Sequence, residues 1–273
     1  MKRWLTTVLV FGLCSAAVRA DVTIVQTTTV EGGMAAMAGG GMSPKMTARV
    51  KGMKMRNDVE VGPNLTSTIM DLASKEMILL RHDQKTAIVT SSATAAAKPP
   101  ADITLPKIES SVTPTGKSQV IDGIKCDEYV FTTALNMGEM TGPQMPPEAA
   151  AMMKDMRMNM VGSMWVAKEV PAGAAEYVAF MKAASASDMA AIAAGASGVN
   201  IPGMDKMMKA MSSVEGMPYL TEMTITIEGT GQIADMMKQM GPMKITTKVI
   251  SVKTDPVPDD QFQIPAGYTT VKQ

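Results

Sequence analysis

Histidine, cysteine and aromatic side chains are all scarce in this 273-residue chain: one His, two Cys, and an aromatic content of 4%. Hydrolytic triads and zinc sites usually need a well-supported histidine. His82 is the only one, set in RHDQK between two apolar runs, which predicts a solvated turn residue. Cys14 falls inside an N-terminal leader, so Cys126 alone is expected in the mature chain, with no internal disulfide partner. Its neighbours Ile124, Tyr129 and Val130 place it on a half-buried strand as a small apolar residue. A strong charge of either sign is also missing. The formal net charge is zero, and losing Lys2, Arg3 and Arg19 with the leader leaves 23 basic against 26 acidic residues. That balance gives no footprint for nucleic acid.

Long apolar runs are absent as well. Lys2 and Arg3 precede the short apolar run Trp4–Leu13, and Val18-Arg19-Ala20 ends in small residues before Asp21. Residues 1–20 thus read as a secretory signal peptide, too short to cross a bilayer. Residues 21–273 read as a single domain that is periplasmic or secreted and has no membrane span after cleavage. Leu13 occupies the place where a lipidated Cys14 would want a small residue, which favours ordinary cleavage after Ala20.

What the chain has in excess is methionine, 30 residues of it. AAMMKDMRMNMVGSMW, residues 150–165, holds six in sixteen positions. Met152, Met153 and Met156 share a helical face after the Pro146-Pro147-Glu148 start signal. From Met156 the period shifts to two, through Met158 and Met160, predicting a strand that reaches Trp165 and Val166. Further on, Tyr177, Phe180, Met181 and Ala184 form an i, i+3, i+4, i+7 stripe within an alanine-rich stretch predicted as one or two helices from about Pro171 to Gly195. Met204, Met207, Met208 and Met211 repeat that spacing, as do Ile233, Met236, Met237 and Met240 before Gly241-Pro242.

Between these helices the chain alternates as strands do. DVTIVQTTTV opens the mature chain, and a Gly-rich loop follows it. KMTARVKGMKMRNDVEV breaks near Gly52. Three apolar runs over 65–91 predict a meander. Pro114 to Gly116 and Asp122-Gly123 are turn signals, the latter a hairpin dipeptide. YLTEMTITIEG and MKITTKVISVKTDPV are strands, and DPVPDDQFQIPAGY closes the domain with Phe262 and Tyr268 as anchors. Roughly nine strands and three or four helices result. All strands are expected antiparallel, since most connections are too short for βαβ units.

Four patches carry a family resemblance: TGKSQVIDGIKCDEYVF, the segment ending in SMWVAKEVP, GMPYLTEMTITIEGTG, and DDQFQIPAGYTTV. They resemble the secreted bacterial proteins grouped as DUF4412, over roughly residues 22–272. That family resembles LolA/LolB-like periplasmic carriers, which implies an α+β fold: a strongly curved antiparallel sheet, an unclosed half-barrel, with Met/Ala-rich helices over its concave face. It implies lipid or acyl chains as the ligand class and supplies no catalytic residues. The insertions at 32–42 and 185–200 depart from the pattern and would alter or cover the cavity.

The reading that follows is a non-catalytic binding protein without a cofactor, carrying or sensing a lipid or other hydrophobic small molecule. Methionine is unbranched and polarizable and suits adaptable apolar surfaces. The expected lining is Met152, Met156, Trp165, Tyr177, Phe180, Met181, Met207, Met208, Met211, Met236, Met237 and Met240. The same methionines also serve as ordinary core. Two alternatives stand beside the carrier. One is a cell-envelope interaction module that docks a partner protein. The other is a copper binder using Met153, Met156 and Met160, or Met156, Met158 and Met160, as soft sulfurs. Enzyme signals fail individually. Asp127 and Glu128 are adjacent on a strand and point apart, Asp259-Asp260 suits a turn, and TGKS lacks the upstream glycine of a phosphate loop, Ser111 standing in its place.

Overall fold

The structure is a computed structural model that describes residues 21–32, 43–91, 108–139, 154–169, 173–187 and 214–272. Alternating segments rich in Thr, Val, Ile and Met become twelve strands: β1 (Val22–Glu31), β2 (Lys45–Lys51), β3 (Lys54–Val61), β4 (Asn64–Asp71), β5 (Glu76–Arg81), β6 (Thr86–Ser91), β7 (Ile108–Ile121), β8 (Ile124–Asn136), β9 (Arg157–Ala167), β10 (Met217–Glu228), β11 (Met243–Lys253) and β12 (Thr269–Lys272). Two α-helices are described, α1 (Ala174–Ala186) and α2 (Gln232–Met240).

The strands form one sheet in the order β12-β6-β5-β4-β3-β2-β1-β11-β10-β9-β8-β7. β7 and β12 are its two edges and do not pair, so the sheet is unclosed. Its curvature follows from packing. One apolar cluster joins Met77 of β5, Val22 and Ile24 of β1, Cys126 of β8 and Phe180 of α1. β5 and β8 lie eight strand spacings apart in the order, roughly 38 Å in a flat sheet. Only a strongly curled sheet brings both into one cluster around a single helix. The fold is therefore α+β, a curved and almost wholly antiparallel sheet with helices packed on it.

Local chemistry explains the elements. α1 has alanine, the best helix former, at six of its 13 positions and carries Glu176 in its first turn, where the helix dipole favours an acid. It packs on β1 and β2. α2 packs on β10 and ends at Gly241-Pro242, which cannot continue a helix. Asp122 (φ 49°) and Gly123 (φ 82°) both occupy the left-handed region, the two-residue turn that an Asp-Gly pair makes between twisted strands.

A second apolar cluster lies elsewhere on the sheet. Ile69, Leu80 and Ala87 of β4–β6 pack against Val257 and Phe262, with Ile78, Ile264 and Tyr268 around them. Residues 254–268 thus form a strap from β11 across to the far edge of the sheet, where β12 adds beside β6. Phe262 and Tyr268 are anchors, as their sequence context predicts.

Several expectations need correction. There are twelve described strands, not nine, and β12 runs parallel to β6, because the strap is a crossover and not a hairpin. Pro114 to Gly116 is no turn: it lies inside β7, where the register with β8 slips between Pro114 and Ser118 as a bulge. Met156 is not helical, since it follows a turn at Lys154–Asp155 and leads into β9. The alanine-rich helix covers 174–186, with Ser187 as its C-cap. His82 is not a solvated turn residue, because both of its ring nitrogens are held by hydroxyl groups of the sheet and the strap. The Gly-rich loop, the predicted helices around Met152 and over 204–211, and the rest of the alanine-rich segment lie outside the described residues.

Candidate binding face and cavities

Strand pairing lines up a continuous apolar face on β8–β11 and β1. Directly paired residues share a face, and so do residues two apart. One row is Phe131, Gly162, Met223, Ile245 and Val30. The next is Thr133, Met160, Ile225 and Met243, and a third is Leu135, Met158 and Ile227. The pattern arises from the period-two alternation of MNMVG and MTITIE. Five strands make the face roughly 20 Å wide. Its apolar members are half-buried, with no fully buried residue among them. Over the same rows the opposite face holds Thr132, Ser163, Glu222, Thr224, Lys244 and Thr246 beside the apolar Val130, Ala134 and Val161.

Gly162 is required in the first row. A Cβ there would come within 2.3 Å of the Glu222 carbonyl oxygen and 2.6 Å of the Phe131 ring. The ring therefore lies over the glycine and fills the place of its missing side chain. The row above turns polar toward α1, where Thr28 and Thr247 share a hydroxyl hydrogen bond of 2.9 Å. At the other end, Met156 is buried beside Gly229, and its carbonyl accepts a 2.8 Å bond from Met137 N–H.

The residues expected to line a ligand site fall into separate places. Phe180 is buried under α1, and Trp165, Tyr177 and Met181 pack against its cluster. Burial pushes the Tyr177 phenol above its ordinary pKa. Met156 is apart from them, and α2 carries Met237 and Met240 half-buried and Met236 exposed. Met152, Met207, Met208 and Met211 lie outside the described residues. The structure thus unites four of the twelve. Sequence reasoning passed over Phe131, Met158, Met160, Met223, Ile225, Met243 and Ile245 as lining residues, although strand alternation was the signal for them.

Two cavities flank the tip of the β2–β3 hairpin. One, about 350 Å³, lies against α1 and is lined by Gly52, Met53, Ala175, Glu176, Ala179, Phe180 and Ala183. The other, about 440 Å³, is lined by Lys51, Met53, Lys54, Asp71, Ala73, Asp259, Phe262 and Gln263.

His82 belongs to a polar clasp between the sheet and the strap. Asp58 accepts from Arg56 Nε at 2.7 Å, Ser67 Oγ at 2.5 Å and Arg49 Nη1 at 2.5 Å. Arg56 also donates to Ser67 Oγ and to the Gln261 carbonyl, both at 3.1 Å. Ser67 Oγ lies 2.7 Å from His82 Nε2, and Tyr268 Oη lies 2.7 Å from His82 Nδ1. Ser67 has one proton, and the short bond to the Asp58 carboxylate takes it. His82 Nε2–H then donates to Ser67, and Nδ1 accepts from Tyr268. The serine, histidine and aspartate meet, but the serine is wholly buried and gives its proton to the carboxylate. A hydrolytic triad needs the reverse, an accessible hydroxyl donating to the imidazole. Burial pushes the Asp58 carboxyl upward, yet the Ser67 and Arg56 hydrogen bonds and the Arg56 charge outweigh it and hold the group below its usual value.

Cys126 is free and fully buried, its thiol 3.6 Å from the Ile124 carbonyl. Burial, then the neighbouring Asp127 charge, pushes the thiol pKa up. Among the described residues no group of three or more His, Cys, Asp or Glu side chains is placed to hold a metal ion. No described helix is long and apolar enough to cross a membrane.

Comparison with known proteins is informative at the level of the family. No functionally curated protein matches the chain. An uncharacterized conserved protein from Thermus thermophilus is similar over 94% of this chain and 92% of its own, at 7% identity and a TM-score of 0.41, too distant to carry an argument. The patch TGKSQVIDGIKCDEYVF lies inside the matched family segment, and the other three patches lie beyond it. Residues 33–142 match DUF4412, a domain of unknown function, and the family resemblance read from the motifs holds there.

Proposed function

We propose that this protein is a non-catalytic binding protein of the cell envelope, periplasmic or secreted, that carries or senses a lipid or other hydrophobic small molecule. The observation that carries the reading is the half-buried apolar face of β8–β11 and β1. Ten apolar side chains stand there in register, and four of them are methionines: Met158, Met160, Met223 and Met243. Contiguous apolar surface of this kind marks ligand grooves and interaction sites. An acyl chain laid on it gains about 0.8 kcal/mol per buried methylene. A dozen fully buried methylenes give roughly 10 kcal/mol gross, of the same order as the roughly 4–15 kcal/mol lost on association. The signal-peptide pattern at residues 1–20 supports the location. The non-catalytic part rests on the clasp, where both His82 nitrogens are occupied and Ser67 is sealed.

The same face favours one second reading. Four thioethers on neighbouring strands suit Cu(I), a soft ion. One experiment separates the two. The mature protein is purified from its native compartment, and an organic extract is analysed by mass spectrometry beside a metal assay. A stoichiometric apolar molecule supports the carrier, provided Met160→Glu abolishes its retention while leaving the fold intact. Stoichiometric copper without lipid supports the sulfur site. Recovery of neither, together with a protein partner that Met160→Glu releases, would replace both with a docking face.

A further inference from the structure

We propose that the tip of the β2–β3 hairpin is a separate binding site for a zwitterionic amphiphile whose head carries a phosphate and an ammonium and whose tail is a single alkyl chain. Met53 lines both cavities at this tip and is 42% exposed, so an amphiphile bridging them would lie across it. On the α1 side, Ala175, Ala179, Phe180 and Ala183 offer an apolar hollow of about 350 Å³. On the strap side, charge of both signs lines the other cavity.

The arrangement of those charges selects the head. Lys51 Nζ lies 2.7 Å from Asp259 Oδ1, and Lys54 Nζ lies 3.4 Å from Asp71 Oδ2. Lys51 is also fixed by a 2.9 Å bond to the Val257 carbonyl and by Asp21 Oδ2 at 3.8 Å, a pair that stays in place when Asp259 is displaced. Asp71 is fixed by the backbone N–H groups of Ala73 and Ser74, at 2.9 and 3.2 Å. Asp259 is the loose member, with a side chain 80% exposed. A phosphate entering between the two lysines displaces Asp259 from Lys51. An anionic head without a cation would leave that carboxylate facing it, and Glu176 at the apolar cavity adds another. An ammonium on the head restores a partner to Asp259 and Asp71. Two lysines and two aspartates exchange pairs with a zwitterion and lose no ion pair. This site lies near the β1 end that holds Val22, whereas the apolar face of β8–β11 and β1 runs from Val30, so the two do not depend on one another.

The test uses full-length mature protein with ¹³C-methyl methionine and three single-chain amphiphiles below their micelle concentrations: hexyl phosphoethanolamine, hexyl phosphate and hexyl maltoside. The Met53 signal is assigned with Met53→Leu. The expected result is a saturable shift of Met53 by the hexyl phosphoethanolamine, at least tenfold weaker binding of the other two, and a tenfold loss in Lys54→Ala, a variant of a half-exposed side chain. Equal binding by hexyl phosphate or hexyl maltoside would overturn the choice of head. Shifts at Met158 and Met160 with none at Met53 would overturn this site and leave the apolar face standing. A shift at Met53 with none at Met158 or Met160 would support this site and count against that face.

Discussion

Asp58→Asn tests whether the clasp is a buried charge cluster that holds the strap to the sheet. Asp58 is 7% exposed and Arg56 is 9% exposed. The carboxylate takes three charge-assisted or short hydrogen bonds, from Arg49, Arg56 and Ser67. Asparagine keeps the shape but not the charge, and its amide nitrogen must face a donor. With the amide oxygen kept on Arg56 and Ser67, the nitrogen opposes Arg49 Nη1, donor against donor, and Arg56 retains its bonds but loses the neutralising charge. Removing one member of a buried pair costs about 3–5 kcal/mol in other proteins, mainly because the remaining charge is stranded. Arg49 reaches solvent, with a side chain 26% exposed, so the low end applies, about 3 kcal/mol. Urea unfolding followed by circular dichroism measures it. The pH dependence gives a second reading. A carboxylate whose folded pKa is depressed contributes stability above its unfolded value, ~3.9, and loses it as pH falls through the folded value. The gap between wild type and Asp58→Asn should therefore be full at about pH 6 and shrink below about pH 4. A cost under about 1 kcal/mol, or a gap that stays constant down to about pH 2, would refute the argument. In Asp58→Asn/Arg56→Met the stranded cation is gone, so the double variant should be less destabilised than the sum of the singles.

Three further outcomes follow from packing. Phe262→Ala should destabilise by about 3 kcal/mol through the cavity it leaves among Ile69, Leu80 and Ala87, and should make the C-terminal strap the first site of limited proteolysis. Gly162→Val should cost about 1–3 kcal/mol or more, because its Cβ meets a backbone carbonyl that cannot rotate away, whereas Val161→Thr on the opposite face should be near neutral by the same unfolding assay. Cys126 should resist a disulfide reagent at about pH 8 in the folded protein and react at once in denaturant, since it is sealed and its thiolate is disfavoured.

Much of the sheet is legible in the sequence because alternation is local. The meander of β4, β5 and β6, the Asp-Gly hairpin between β7 and β8, and the change to a period of two after Met156 that becomes β9 each announce themselves within a few turns' length of chain. The Pro114 bulge does not. Proline and glycine suit a turn as readily as an interruption in an edge strand, and only pairing with β8 decides. The parallel β12 is hidden for a similar reason. Its place is set by Phe262 and Tyr268 docking far along the chain from their partners in β4–β6, and no local pattern reports that. His82 is misleading through its neighbours: RHDQK is a turn, but the imidazole reaches inward to Ser67 and Tyr268. The binding face is hard to see for a different reason. Helical methionine stripes draw attention because i, i+3, i+4 spacing is conspicuous, whereas Met158, Met160, Met223 and Met243 gather only once their strands pair.

Where methionine falls in the sheet bears on why there is so much of it. The largest side chains sealed below 2% exposure are mainly branched: Ile24, Ile69, Leu80, Val22, Val50, Val166 and Val249, with Met164 and Met217 the two methionines. Branched side chains are stiff and pack into one arrangement, which suits a core closed by α1 on one side and the strap on the other. On the half-buried face, methionine supplies four of ten apolar positions. If methionine merely substituted for leucine, it would be as common in the sealed clusters as on the open face. Its greater share where the sheet is open fits a surface that must change shape to match what covers it, because a thioether chain with three rotatable bonds repacks at little cost. Replacing Met158, Met160, Met223 and Met243 together by leucine would keep area and hydrophobicity while removing that adaptability. An adaptable binding face predicts unchanged or higher thermal stability with a narrower range of retained apolar molecules. An unchanged range of ligands would show that area alone, and not the softness of methionine, does the binding.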